Sequence, residues 1–125
     1  TQLRKLKRRD KDIEEYKAQI TELTDISQGL VYYSMTIQNQ NISQIGKQGI
    51  RQLLASFKVI DEKYSERLEN YDLNPSQSLF CILYHIGKSD EEVMQILQYS
   101  LSNIRVRKSR IKSDTGAESF DDIIR

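Results

Sequence analysis

Between Leu6 and Leu30 the apolar residues Leu6, Ile13, Tyr16, Ile20, Leu23 and Leu30 are separated by 7, 3, 4, 3 and 7 positions. That spacing keeps one narrow stripe on one side of a helix, at the a and d positions of a heptad repeat. Arg9 and Ser27 interrupt the stripe, and Glu14, Glu15, Lys17 and Glu22 crowd its flanks. A stripe this narrow suits a coiled coil, which buries it against another helix. A wider apolar face would be needed to cover a domain core. The alternative is an ordinary amphipathic helix packed on its own domain.

From Leu30 onward the apolar residues become denser, at Val31, Tyr33, Met35, Ile37, Ile42 and Ile45, too dense for a dimer seam alone. The polar run Gln38-Asn39-Gln40-Asn41 loosens the helical pattern, and Gly46 and Gly49 are positioned to end or bend it. A second amphipathic helix is expected from Ile50 through Leu53, Leu54, Phe57, Ile60, Tyr64 and Leu68 to Tyr71. It must stop before Asn74-Pro75, because proline disfavours the helical conformation in the residue before it. The domain boundary is drawn there. After it come three shorter helical stretches, the first over Ser76–His85 with Leu79, Ile82, Leu83 and Ile86 inward. Gly87 is a candidate C-terminal glycine. Ser89 then begins another helix, with Glu92 three residues on completing a capping box and Val93, Ile96 and Leu97 as its buried face. Ser100 or Ser102 caps the last of the three, pinned by Ile104 and Ile111. No strand hairpin or repeat is visible, so the expected fold is all-α: N-terminal coiled coil and long helices, then a C-terminal helix-turn-helix bundle.

Charge is distributed unevenly. The net charge is +1, so affinity for an anionic partner must come from local clustering. Arg4, Lys5, Lys7, Arg8, Arg9 and Lys11 form one basic block. Arg105, Arg107, Lys108, Arg110 and Lys112 form a second within Ser102–Lys112, a stretch with no acidic residue. The acidic Asp90-Glu91-Glu92 precedes it across the turn Gln98-Tyr99-Ser100, and three acids at a helix start favour the macrodipole without implying catalysis. Asp114, Glu118, Asp121 and Asp122 restore neutrality at the C-terminal end. The single cysteine, Cys81, excludes an intrachain disulfide and fits a reducing compartment. It has no base nearby in sequence to make it a nucleophile. His85, the only histidine, lacks the companions a metal site needs and reads as structural. No phosphate-binding glycine loop is present, and neither a cofactor, a metal nor a small-molecule substrate is expected. No apolar run approaches the roughly 20 residues of a membrane span, nor does one follow the basic N-terminus as in a signal peptide. A start without Met, in helical sequence, suggests a piece of a longer protein. A basic block such as Arg4–Lys11 is common just cytoplasmic of a membrane helix, and it equally fits an ordinary solvated helix start.

Gly87, Ser89, Glu92, Val93, Leu97, Ser100, Ile104, Ser109, Arg110 and Ile111 together resemble the LuxR-type helix-turn-helix, without gaps and over about a fifth of the chain. The resemblance is to the C-terminal ends of Bacteroidetes regulators that join tetratricopeptide repeats, a membrane helix and a coiled coil to such a domain. It departs at Met94, where the family usually has Ala, and at Gln98, where Gly commonly takes the turn. A left-handed backbone costs Gln about 1 kcal/mol there. Asp114-Thr115 replaces the usual Lys-Leu, with Gly116 following as in many members. Phe120, Ile123 and Ile124 then suit a short fourth helix for packing or dimer contact.

The resemblance implies double-stranded DNA as partner. It puts Arg105, Val106 and Ser109 at base-facing positions, where Arg grips guanine and Val meets a thymine methyl. Arg107, Lys108, Arg110 and Lys112, with Ser102 and Asn103 near the helix start, would contact phosphates. The expected organisation is a dimerisation helix over 1–30 with Ile13, Tyr16, Ile20, Leu23 and Leu30 as its homodimer seam. A helical transmission segment follows over 31–72, then a DNA-binding domain over 76–125. The expected role is a sequence-specific transcription regulator in the cytoplasm rather than an enzyme, with a sensor upstream; the resemblance allows a membrane helix there as well, and the sequence leaves that anchor open. The rival is a signalling or scaffolding module whose helix-turn-helix binds protein.

Overall fold

The computed structural model describes residues 2–125, with side chains from Arg9 onward. The described residues are all-α, arranged as seven helices: α1 Gln2–Ile37, α2 Gly46–Ile60, α3 Glu62–Glu69, α4 Pro75–His85, α5 Asp90–Leu97, α6 Leu101–Thr115 and α7 Phe120–Ile124. The side chains of Leu6 and of Arg4, Lys5, Lys7 and Arg8 in the first basic block lie outside the described residues.

The expected coiled-coil helix does not stop near residue 30 but runs on to Ile37. It ends where the polar run begins, because Asn39 takes a left-handed conformation (φ 57°). The Asn39 amide donates to Thr36 O, and the Gln40 amide to Met35 O. This is the double closure of a Schellman motif, with Asn in the place usually held by Gly.

α2 packs along the C-terminal part of α1, and Gly29 is the point of closest approach. A Cβ built on Gly29 would lie 1.9 Å from Gln52 O and 2.9 Å from Ser56 Cβ, so only glycine admits this crossing. On the same side of α1, Asp25 accepts hydrogen bonds from Arg51 (3.0 Å) and Gln52 (3.0 Å). Tyr33 meets Phe57 with ring centroids 6.0 Å apart. The Arg51 and Gln52 hydrogen bonds hold the Asp25 carboxyl below its usual range.

The single helix expected from Ile50 to Tyr71 is broken into α2 and α3 at Asp61. Its backbone turns to φ −142°, ψ 81°, and its carboxylate accepts the Tyr64 amide as an N-cap. The break redirects α3 so that Tyr64 and Leu68 enter the core. Gly46 opens α2 with φ +72°, whereas Gly49 sits inside α2 against Ile45, and the helix runs on past it. Asn74 caps α4 in a capping box with Gln77, and Pro75 opens the helix as the first residue.

One buried cluster runs from Ile42, Leu53 and Phe57 through Tyr64 and Leu68 to Leu79, Phe80, Leu83, Val93, Ile96, Ile104, Ile111 and Ile123. The core is therefore continuous across Asn74-Pro75. Polar ties add to it: the Ile42 amide donates to Ile96 O (2.9 Å). Lys88 Nζ caps the end of α1 at Ile37 O (3.0 Å) and at Asn39 Oδ1 (2.7 Å), while Asn39 Nδ2 donates to Glu92 Oε2 (2.9 Å). The long helix is thus fastened directly to the start of α5.

Candidate nucleic-acid interface

The segment from α4 to α7 is assembled by local signals. Gly87 (φ +95°) closes α4, its amide donating to Tyr84 O and that of Lys88 to Leu83 O, again a Schellman closure. Ser89 Oγ accepts the Glu92 amide while Glu92 Oε1 accepts the Ser89 amide, forming the expected capping box of α5. The Ser89 amide bond, followed by the Asn39 bond, lowers the Glu92 pKa. α5 stops at Gln98, which adopts the left-handed conformation (φ 59°) and donates its side-chain amide to Gln95 O. Ser100, rather than Ser102, caps α6 by accepting the Asn103 amide. Val93, Ile96, Leu97, Ile104 and Ile111 are buried, and Met94 is half-buried against the same core. Gly116 (φ +71°) ends α6, and Phe120–Ile124 forms the short last helix.

α6 has two distinct sides. Ile104, Lys108 and Ile111, four and three residues apart, lie on the inward side. Lys108 Nζ donates to Asp90 Oδ1 (2.9 Å) and stands 4.6 Å from the centre of the Tyr84 ring, whose hydroxyl donates to the same Asp90 oxygen (2.6 Å). The Tyr84 and Lys108 hydrogen bonds hold the Asp90 carboxyl below its usual range. Burial, then the Asp90 hydrogen bond, pushes the Tyr84 hydroxyl well above its usual range. Arg107 lies with its guanidinium 4.2 Å from the Tyr99 ring centre and donates to Asn103 Oδ1 (2.9 Å). Two of the four cations expected at phosphates, Arg107 and Lys108, are therefore engaged within the domain, and Asn103 is half-buried beneath Arg107. For Lys108 the signal was present in the sequence, in its spacing from Ile104 and Ile111.

The outward side carries Ser102, Arg105, Val106, Ser109 and Lys112, with Arg110 on its edge, and all six are exposed. Among the described residues none of Arg105, Arg110 and Lys112 has an acidic group within ion-pair distance. All three expected base-facing residues, Arg105, Val106 and Ser109, share this face. Small serines along its middle, with cations beside them, give a helix that can seat closely in a groove and neutralise charge at the groove's edges.

The other singled-out groups are structural in their surroundings. The His85 ring stacks on Tyr64 (centroids 3.5 Å, 2°), with Nδ1 2.7 Å from Ile124 O and Nε2 3.2 Å from Asp61 Oδ2. Together with Arg67, which donates to Asp122 O and Arg125 O, it closes the carbonyl end of α7. Cys81 is fully buried, and burial raises its thiol pKa to about 12. Among the described residues no three His, Cys, Asp or Glu side chains are grouped to hold a metal ion, and no helix is long and apolar enough to cross a membrane.

Comparison of the chain with protein-family models, with curated proteins and with solved structures gives no match.

Proposed function

We propose that this chain is the DNA-binding portion of a LuxR-type transcription regulator that acts as a homodimer through its N-terminal helices, α6 serving as recognition helix. One observation carries the reading: the face of α6 turned away from the core presents Arg105, Arg110 and Lys112 without acidic partners, around Val106, Ser102 and Ser109. Arg105, Val106 and Ser109 read base edges, while Arg110, Lys112 and Ser102 hold phosphates. Arg107 and Lys108 shape the domain and add positive potential from behind. A single short helix discriminates weakly, so two copies reading adjacent half-sites are needed for specificity. The firm connection of α1 to α5 lets movement of the upstream helix reposition α6. Such a regulator acts in the cytoplasm.

The competing reading, a helix-turn-helix that binds protein, draws on the engagement of Arg107 and Lys108 inside the domain and on exposed Leu101 and Val106. Fluorescence anisotropy with random-sequence duplex DNA at about 50 mM salt separates the two, since phosphate contacts are strong there. A DNA-binding α6 gives binding that weakens steeply with salt and is much weaker in the Arg105→Ala/Lys112→Ala double variant. No binding by the unaltered chain contradicts the DNA reading.

A further inference from the structure

The two sides of α1 have different fates. Asp25, Gly29, Tyr33 and Thr36 face α2 and the body of the domain. Ile13, Tyr16, Ile20, Leu23 and Leu30 lie on the opposite side, and each remains 45–66 % exposed. Val31 and Ile37 extend this bare surface to the end of the helix. The apolar stripe therefore continues alongside the folded body as well as beyond it, and the chain itself buries none of these side chains. An amphipathic helix docked on its own domain would have used this stripe; α1 docks by its other face.

We infer that a second copy of this chain lies along the whole outward face of α1, parallel and in register, with the two domain bodies on opposite outer sides. This deepens the dimeric reading above and rests on it. With Ile13 and Ile20 at a positions and Tyr16, Leu23 and Leu30 at d, the flanking g and e positions decide orientation. In a parallel pair each g residue faces the e residue five positions on in the other copy. Asp12 then meets Lys17, neutral Gln19 meets Thr24, and Ile26 meets Val31. Charge faces opposite charge where the pair stands free, and apolar faces apolar beside the body. An antiparallel pair covering the same stretch sets Ile13 opposite Leu30, and with it Asp10 against Val31 and Lys17 against Thr24. That arrangement brings a carboxylate onto an apolar side chain and leaves Lys17 without its partner. Ser27 and Ser34, at the remaining a positions, are small enough for close helix approach.

Single-cysteine linking tests the orientation, since native Cys81 is fully buried. Ile13→Cys and Leu30→Cys change exposed side chains only, and circular dichroism checks that each variant keeps its helix content. Each is oxidised with copper-phenanthroline, quenched with iodoacetamide before denaturation, and run without reductant; a mixture of the two is treated alike. In a parallel in-register pair each variant links to itself, and the mixture gives no additional Ile13→Cys to Leu30→Cys product. In the antiparallel pair identical positions are about 25 Å apart along the axis, far beyond the roughly 7 Å a disulfide can bridge. Linking only in the mixture overturns the parallel arrangement. Sedimentation distinguishes the levels of failure: a mass of 14.7 kDa removes the dimer itself. Twice that mass without self-linking removes only this geometry. Glu15→Cys, off the seam, should stay unlinked, and efficient linking there also contradicts the proposal.

Discussion

Replacing Gly29 with Ala should destabilise the protein although alanine is the better helix former. The added Cβ would sit 1.9 Å from Gln52 O and 2.5 Å from Gln52 C, whereas ordinary contact begins at 3.4 Å. Both opposing atoms belong to the α2 backbone, so no rotamer change can relieve the clash. The helices must separate locally by roughly 1.5 Å, and gaps of even 0.5–1 Å forfeit a quarter to a half of each dispersion contact they open. Overpacking costs about 1–3 kcal/mol, and a backbone clash belongs at the upper end. Alanine's helix propensity returns about 1 kcal/mol. The net expectation is a loss of about 2 kcal/mol, or a fall in Tm of about 8 °C for a domain of this size. Urea and thermal melts by circular dichroism measure it, with Glu15→Ala, exposed on α1 but off the dimer seam, as a control that should be neutral or slightly stabilising. A Gly29→Ala protein as stable as the parent would refute the close crossing of α1 and α2.

Three further outcomes follow from the site. Lys108→Met should lower stability by about 1 kcal/mol through loss of its Asp90 ion pair and ring contacts. It should leave the salt dependence of DNA binding nearly unchanged; a loss of about 0.9 in the log–log slope would instead mark Lys108 as a phosphate contact. Gln98→Gly should raise stability by up to about 1 kcal/mol in denaturant melts by relieving a left-handed backbone, and a destabilised variant would contradict that conformation. Asp25, Asp61, Asp90 and Glu92 all have lowered folded-state pKa values relative to 3.8 for Asp and 4.5 for Glu. Their contribution is therefore complete above those values and is lost as pH falls through the lowered ones. Tm should hold nearly level from pH 7 to about 5 and drop below about pH 4, and a Tm that rose on acidification would contradict the assigned bonds.

Much of the fold was legible because its signals are local. Ser89 with Glu92, Gly87, and the spacing of Ile104 and Ile111 each act within one or two helical turns, and each sits where its spacing implied. The heptad stripe was legible for the same reason. Other features depended on partners distant in sequence. The break at Asp61 lies inside an otherwise helical apolar pattern, and the turn it introduces carries Tyr64 and Leu68 into the core. The close crossing at Gly29 depends on Gln52, and nothing near Gly29 in sequence announces it. The family resemblance and the basic charge together place Lys108 and Arg107 at phosphates, because neither registers Asp90, Tyr84 and Tyr99 as competing partners. The extension of α1 to Ile37 and its fastening by Lys88, Asn39 and Glu92 were equally non-local.

The central claim is that the outward face of α6 binds duplex DNA. Anisotropy titration of a labelled random duplex with the intact chain, repeated from about 50 to 200 mM salt, tests it most directly. With Arg110 and Lys112 of one copy at phosphates, log Kd should rise with log salt at a slope of about 1.8 for a single chain, and more for a pair. In the Arg105→Ala/Lys112→Ala variant binding should weaken and that slope should fall by about 0.9 per chain, the share of Lys112, while the melting temperature stays unchanged. Binding that is absent at 50 mM salt, or equally strong in the double variant, would contradict the account.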